Sequence, residues 1–250
     1  MKLQVIRHAT LLLSIKDQNI LVDPMLGPKE SAPPIINSGN TRRNPLVDLP
    51  SNLPIWNEID ALLITHCHRD HLDDTAKEIL PKHLPVFCQP TDVATLRDAG
   101  FTDVIPIQDT FKWNNITITR TNGQHGTGEI GKAMGNVSGF VLAANEEPTL
   151  YIAGDTIWCD DVREAITSFQ PSVTVLNAGA AQFIKGDPIT MDAKDVREVC
   201  HHVPNSKVVA VHMEAINHCL LTRDELRSEL ERSDLINRVS IPLDGEVLYF

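Results

Sequence analysis

The sequence predicts the mixed α/β fold class, in which strands and helices alternate along one chain. Short apolar runs bounded by turn residues predict the strands, and longer segments with capping signals predict the helices. Of the 250 residues, 42% are hydrophobic. Because a chain of this length buries roughly three-quarters of its unfolded surface, we expect one domain over residues 1–250, with two or four layers.

The first fifty residues predict a strand meander followed by an irregular loop. Strands are expected over residues 3–6, 10–15 and 19–22. Residues 24–54 contain seven of the sixteen prolines, which disfavours a helix or a strand there. Such a loop is often a lid or an interface arm, and an idle surface excursion remains the alternative.

From residue 60 onward, strands and helices alternate. The expected strands span residues 60–65, 85–88, 103–107, 116–121, 137–143, 149–153, 172–176, 207–211 and 246–250. The expected helices span residues 73–80, 91–99, 161–169, 192–202 and 223–232. Two apolar strands are followed by an aspartate, Asp23 in one case and Asp155 in the other, which indicates two related halves.

One short loop carries three imidazoles and a carboxylate, in the segment His66-Cys67-His68-Arg69-Asp70-His71. Side chains alternate along an extended chain, so His66 and His68 are expected to point to the same side and reach one metal ion. Asp70 and His71 fall on the following turn and are available for a second ion. Cys67 is expected to point away and pack. The spacing predicts a two-metal hydrolytic centre.

One loop cannot complete two coordination shells, so further ligands are expected at other strand ends. Three residues directly follow apolar strands: His125, Asp155 and His212. Each is ordinary on its own, but their shared placement makes them candidate ligands.

These residues resemble the metallo-β-lactamase superfamily. Its H-x-H-x-D-H motif is matched by His66, His68, Asp70 and His71, and its later ligands by His125, Asp155 and His212. The chain is most similar to the branch that contains ascorbate-6-phosphate lactonase and N-acyl phosphatidylethanolamine phospholipase D, because the pair His8-Ala9 precedes Asp23-Pro24.

The resemblance implies a four-layer αββα sandwich with two divalent ions at one sheet edge. It also assigns the ligands by position: His66, His68 and His125 to the first ion, Asp70, His71 and His212 to the second, and Asp155 as the bridge. Nitrogen and carboxylate ligands suit zinc, manganese or iron, and zinc is our first choice.

The predicted reaction is hydrolysis by a metal-bound hydroxide, because such ions lower the pKa of bound water to about 7. Asp70 is expected to orient the hydroxide and accept its proton. The expected substrate is a small, anionic lactone, ester or amide. Two alternatives stay open: a phosphodiesterase acting on a lipid or nucleotide, and a non-hydrolytic di-iron redox or metal-binding regulatory protein.

Further residues are candidates for substrate chemistry. Glu214 and His218 follow His212 closely and are candidate proton donors to a leaving group, with a solvated loop as the alternative. Asn177 and His8 are candidate substrate contacts, as is His218; Asn177 could equally form a turn, and His8 could instead steer a metal ligand or simply pack. Trp158 is expected in the core.

Charge and cysteine content restrict the partners. The net charge of −11, without a basic stripe, argues against nucleic acid, and no apolar run approaches a membrane span. Five scattered cysteines without a C-x-x-C pair, and no signal peptide, predict a reduced cytoplasmic protein. A small molecule is therefore the expected partner, and the branch resemblance adds a homo-oligomer.

Overall fold

Two β-sheets dominate the computed structural model of the protein, which describes residues 1–53 and 56–250. The strands of the described residues are, in chain order, β1 (Lys2–Arg7), β2 (Thr10–Ile15), β3 (Gln18–Val22), β4 (Ala61–Ile64), β5 (Pro85–Cys88), β6 (Asp103–Pro106), β7 (Thr110–Trp113), β8 (Ile116–Asn122), β9 (Ser138–Ala144), β10 (Leu150–Ile152), β11 (Val173–Asn177), β12 (Lys207–Val211), β13 (Val239–Ser240) and β14 (Val247–Tyr249). The helices are α1 (Asp74–Ile79), α2 (Val93–Asp98), α3 (Gly128–Met134), α4 (Asp160–Phe169), α5 (Ala193–His202) and α6 (Arg223–Arg232).

The two sheets have the same topology. The first has the order β14-β1-β2-β3-β4-β5-β6 and the second the order β7-β8-β9-β10-β11-β12-β13. In each sheet, the first four strands pair antiparallel with their neighbours. The fifth strand pairs parallel with the fourth, and the sixth and seventh continue in parallel. Asp23 and Asp155 follow β3 and β10, which are each the fourth strand of their sheet in the orders given above. The two aspartates therefore lie at equivalent positions of two similar halves.

Alternation of side chains along the strands builds four layers. In β4, Leu63 joins the core between the sheets, whereas Leu62 packs on the outer face with Ala76 of α1. In β12, Val209 lies between the sheets and Val208 faces the helices α4, α5 and α6. The mixed α/β class with an αββα arrangement is thereby confirmed.

Most predicted elements are present, and the differences have local causes. The predicted helix over residues 91–99 begins as a 3₁₀ turn at Pro90–Asp92 and continues as α2. The sequence did not predict α3, which contains two glycines and buries none of its residues, so it lacks an apolar stripe. It also did not predict β7 or the two-residue β13.

The proline-rich segment is irregular, as predicted. Across its described residues 24–53 the only regular pairing is an isolated bridge between Ala32 and Asn44. Pro54, the last residue of the predicted loop, lies outside the described residues. Asn217 joins the segment to the loop after β12: its side-chain oxygen accepts hydrogen bonds from the Ile35 backbone and the Asn44 amide. The segment is therefore part of the folded structure rather than an idle excursion.

Cys67 and Trp158 are half-buried and pack against apolar clusters, which confirms the expected packing of both. None of the helices in the described part of the chain is long and apolar enough to cross a membrane.

A capping box starts α6 and provides a stability test. The Thr222 hydroxyl accepts a hydrogen bond from the Glu225 backbone, and the Glu225 carboxylate accepts one from the Thr222 backbone. We expect Thr222→Ala to lower the free energy of unfolding by about 1 kcal/mol in urea denaturation, because the cap is lost. Ser228→Ala, at an exposed position in the interior of the same helix, is the control and should leave stability equal or slightly higher. Equal losses in both variants would contradict the role of the cap.

Candidate metal centre

The strand ends of both sheets bring the candidate ligands together. Three overlapping groups have ligand atoms within 4.8 Å of one another: His66, His68 and His125; His66, His71 and Asp155; and His8, Asp70, His71 and His212. The structure therefore gathers all seven predicted ligands at one edge, and it adds His8 to the second-ion group. His68 is half-buried and the other members are buried.

Asp155 lies at the centre of the cluster. Its Oδ2 lies 3.2 Å from His71 Nε2, 3.5 Å from His125 Nε2 and 4.0 Å from His66 Nε2, and its Oδ1 lies 3.3 Å from His212 Nε2. This carboxylate thus faces ligands assigned to both ions, which is the geometry required of a bridge.

The cluster fits divalent ions because buried nitrogen atoms converge without hydrogen-bond partners. Within residues 1–53 and 56–250, Nε2 of His66, His71 and His212 is buried and makes no hydrogen bond. Buried polar atoms are rarely left unpaired in native proteins, so three such atoms facing one carboxylate fit the coordination of a metal cation. The nitrogen and oxygen donors suit zinc, manganese or iron.

Outer hydrogen bonds orient the imidazoles. His71 Nδ1 donates to Asp23 Oδ2 at 2.8 Å, and His125 Nδ1 donates to the Ile189 carbonyl at 2.7 Å. Each bond leaves Nε2 facing the cluster, as is usual for metal-binding histidines. Asp23 also accepts a bond from the Thr65 backbone, which ties the end of β3 to the start of the motif loop.

The electrostatics of the cluster favour a positive charge. Burial would raise the pKa of Asp155, but His212 and His71 hold it well below its usual value. Burial opposes protonation of His71, yet the carboxylates of Asp155 and Asp23 raise the pKa of this residue to about 10. Metal ions compete with protons for such nitrogens, so a bound cation would take the place of that proton.

The predicted substrate residues have different surroundings. Asn177 donates a 2.6 Å hydrogen bond to Asp155 Oδ1, so it orients the central carboxylate. His218 is buried, and its Nδ1 has no hydrogen-bond partner among the described residues. The Glu214 carboxylate accepts bonds from the Arg223 backbone and guanidinium, so the structure does not favour it as a proton donor.

Sequence reasoning missed two contributors to the site. Asp23 was noted for its Asp-Pro pair and as the counterpart of Asp155, but its role as the hydrogen-bond partner of His71 was not predicted. The second contributor is a cavity of about 280 Å³ beside the cluster, with Asp70 in its wall. Its apolar side includes Met25, Ile35 and Ile216. The cavity had no local sequence signal, because its walls are far apart in the chain.

The four-layer sandwich and the buried histidine–aspartate cluster together define a metal-dependent hydrolase. Residues 18–213 match the Beta-lactamase superfamily domain. The chain belongs to this superfamily and, within it, to the UPF0173 family of metal-dependent hydrolases.

Three similar proteins cover the whole chain or nearly so. The UPF0173 protein YddR of Bacillus subtilis (strain 168) is 35% identical over 256 residues, with 100% of both chains covered. The crystal structure of a possible metal-dependent hydrolase from Veillonella parvula DSM 2008 has a TM-score of 0.95 and 36% identity, covering 99% of this chain and 98% of that one. An isothiocyanate hydrolase from Delia radicum gut bacteria has a TM-score of 0.94 and 37% identity, covering 100% and 99%. The narrower resemblance to the lactonase and phospholipase branch stays a prediction.

Proposed function

We propose that this protein hydrolyses a small molecule at an electrophilic carbon, with two divalent ions held by the cluster. The observation that carries the proposal is the placement of Asp155 between the histidines of both assigned groups, at 3.2–4.0 Å from four ring nitrogens. His66, His68 and His125 would hold the first ion and Asp70, His71 and His212 the second, and Asp155 would be the ligand that both ions share.

When bound, the ions supply a hydroxide nucleophile at neutral pH and polarise the substrate. Asp70 would orient the nucleophile and accept the proton that the attacking water loses, a role supported by its place both in the second group and in the cavity wall. Asn177 holds Asp155 in place. His218 donates the proton to the leaving group, a role supported by its burial and its unpartnered Nδ1 in the described structure.

The cavity favours a neutral, apolar-tailed substrate over the anionic one that the sequence suggested. Its described charged lining residues are Arg69, Asp73, Asp74 and the candidate metal ligand Asp70. An anionic tail would meet the carboxylates of Asp73 and Asp74, whereas an apolar tail would meet Met25, Ile35 and Ile216 elsewhere in the lining.

This cavity supports isothiocyanates as a candidate substrate class beside lactones, esters and amides. The similar protein from Delia radicum gut bacteria is an isothiocyanate hydrolase. An isothiocyanate presents an electrophilic carbon next to an uncharged organic group, which matches a polarising metal centre flanked by an apolar wall.

The test is metal analysis followed by a substrate panel. Protein purified without added metal is analysed for bound ions, reconstituted with zinc, manganese or iron, and assayed with benzyl isothiocyanate, a lactone, a nitrophenyl ester, an anilide and bis-nitrophenyl phosphate. We expect about two ions per chain and turnover of a carbon substrate. Turnover of the phosphodiester alone would overturn the proposal, and so would oxygen consumption by an iron-loaded protein that hydrolyses nothing.

The cavity can be tested as the substrate-binding site by a substitution in its wall and the same substitution at a neighbouring residue. We expect Ile35→Asp to raise KM for an apolar-tailed substrate by about tenfold or more, because a carboxylate replaces part of the apolar wall, while kcat changes little. Ile36→Asp is the control, since Ile36 is 75% exposed and its mutation adds the same charge outside the cavity. Steady-state kinetics give KM for both variants. An equal rise of KM in both would exclude the cavity as the binding site.

A further inference from the structure

His8 contacts two of the side chains assigned to the second ion. It directly follows β1, and its Nε2 lies 3.3 Å from Asp70 Oδ2, within hydrogen-bond distance. Its ring also stacks on the ring of His212, with centroids 3.6 Å apart and planes inclined by 35°. One imidazole therefore touches a carboxylate and an imidazole of the same metal group.

The backbone reinforces this contact. The His8 carbonyl accepts a 3.0 Å hydrogen bond from the His212 backbone, so the ends of β1 and β12 are joined at this point although they belong to different sheets. A displacement of His8 would therefore be transmitted to His212 through both the ring and the main chain.

His8 is held in a costly conformation. Its φ is 62°, in the left-handed region, which residues other than glycine rarely adopt. The side chain is fully buried, and its Nδ1 has no hydrogen-bond partner in the described part of the chain. A residue serving only to turn the chain would be better replaced by glycine, so this strained, buried imidazole indicates a role for its side chain.

We propose that His8 is a positioning residue for the second metal ion, fixing Asp70 by a hydrogen bond and His212 by ring stacking. This inference rests on the proposed dinuclear centre. With Nε2–H donating to Asp70 Oδ2, that oxygen is fixed in direction and its other lone pair remains available to an ion. His8 thus acts on the ion through Asp70 and His212.

The test measures metal binding directly. Metal-free wild-type protein and the variants His8→Phe and His8→Gln are titrated with Zn²⁺ against a chromophoric chelator. Phenylalanine keeps a ring but has no hydrogen-bond donor, whereas the glutamine amide keeps a donor near the position of Nε2. His83→Phe, at an exposed histidine, is the matched control. Thermal unfolding establishes that each variant is folded.

We expect His8→Phe to lower the affinity for the second ion by about 10–100-fold and to leave the affinity for the first ion nearly unchanged. Removing an outer hydrogen-bond partner of a metal ligand typically has an effect of this size. His8→Gln should recover most of the loss, and His83→Phe should match the wild type. Cobalt-substituted wild type and His8→Phe, at saturating Co²⁺, should show similar visible bands, because a positioning residue leaves the coordination number unchanged.

The outcomes separate the two proposals. If the wild type binds only one ion, the dinuclear centre itself is overturned, and the role of His8 with it. If the wild type and His8→Phe bind two ions with equal affinities, only the role of His8 is overturned. A clear change of the cobalt bands in saturated His8→Phe would instead make His8 a direct ligand. Should His8→Phe fail to fold, tight binding of both ions by His8→Gln supports the proposal and loss of the second ion in that variant overturns it.

Discussion

Replacing Asp155 with asparagine is expected to remove at least one bound ion and to lower kcat/KM by about 10⁴-fold, because both ions lose their shared anionic ligand. The side chain is buried, and its two oxygens lie within 3.2–4.0 Å of nitrogens from His66, His71, His125 and His212. Asparagine has nearly the same size and keeps one oxygen that can accept the bond from Asn177. The variant therefore removes charge without opening a cavity.

Two measurements make this prediction specific. Elemental analysis gives the number of ions per chain, and steady-state kinetics on a substrate found in the panel gives kcat/KM. Asp103→Asn removes one charge at an exposed position of β6 and should retain both ions and full activity. If Asp155→Asn keeps two ions and a tenth or more of the activity, the bridging role is excluded.

The ligand cluster could be predicted because its signals are local. The segment from His66 to His71 carries four candidate ligands in six residues, and His125, Asp155 and His212 each lie within three residues of a strand end. Because strands that share a sheet end at common edges, the end of a strand is informative without knowledge of the partner strand. The strand ends and the periodicity of two indicated the candidate ligands, and the resemblance to the superfamily brought those of the two sheets together.

The cavity could not be predicted for the opposite reason. Its walls meet through long-range contacts such as those of Asn217 with Ile35 and Asn44, which lie 182 and 173 positions away in the chain. The surroundings of Glu214 also depend on a contact that the sequence does not reveal, here with Arg223, nine residues further along the chain. Its closeness to His212 in sequence suggested a catalytic role, but the loop turns at Glu214, where φ is 63°, and Arg223 at the start of α6 pairs with its carboxylate.

Arg7 supports the wall of this cavity from within the protein. Its side chain is fully buried, and its guanidinium donates to three carbonyls of the proline-rich segment: those of Met25 at 2.8 Å, Gly27 at 2.9 Å and Val47 at 3.1 Å. Burial lowers the pKa of Arg7 to about 10, which still leaves it charged at neutral pH. One cation thus binds the two ends of an irregular segment that lacks a strand or helix in its described residues.

Arg7→Met is expected to lower the free energy of unfolding by about 3–5 kcal/mol, because three buried carbonyls lose their donors at once. Arg7→Lys should lose less, since an ammonium keeps the charge but cannot span all three acceptors with the planar fork of a guanidinium. Arg42→Met changes an exposed arginine of the same segment and should alter stability by less than about 0.5 kcal/mol. Denaturant titrations of the three variants provide these values.

The Arg7 variants also test whether the stability of the proline-rich segment affects substrate binding. Because residues 25–47 contribute Met25 and Ile35 to the apolar wall, their amide hydrogens should exchange faster in Arg7→Met than in the wild type, while those of the two sheets should be less affected. KM for an apolar-tailed substrate should rise in parallel, with the metal content unchanged, since Arg7 contacts none of the candidate ligands through its hydrogen bonds. If Arg7→Met loses less than about 1 kcal/mol, the carbonyls have found other donors and the segment is held mainly by Asn217.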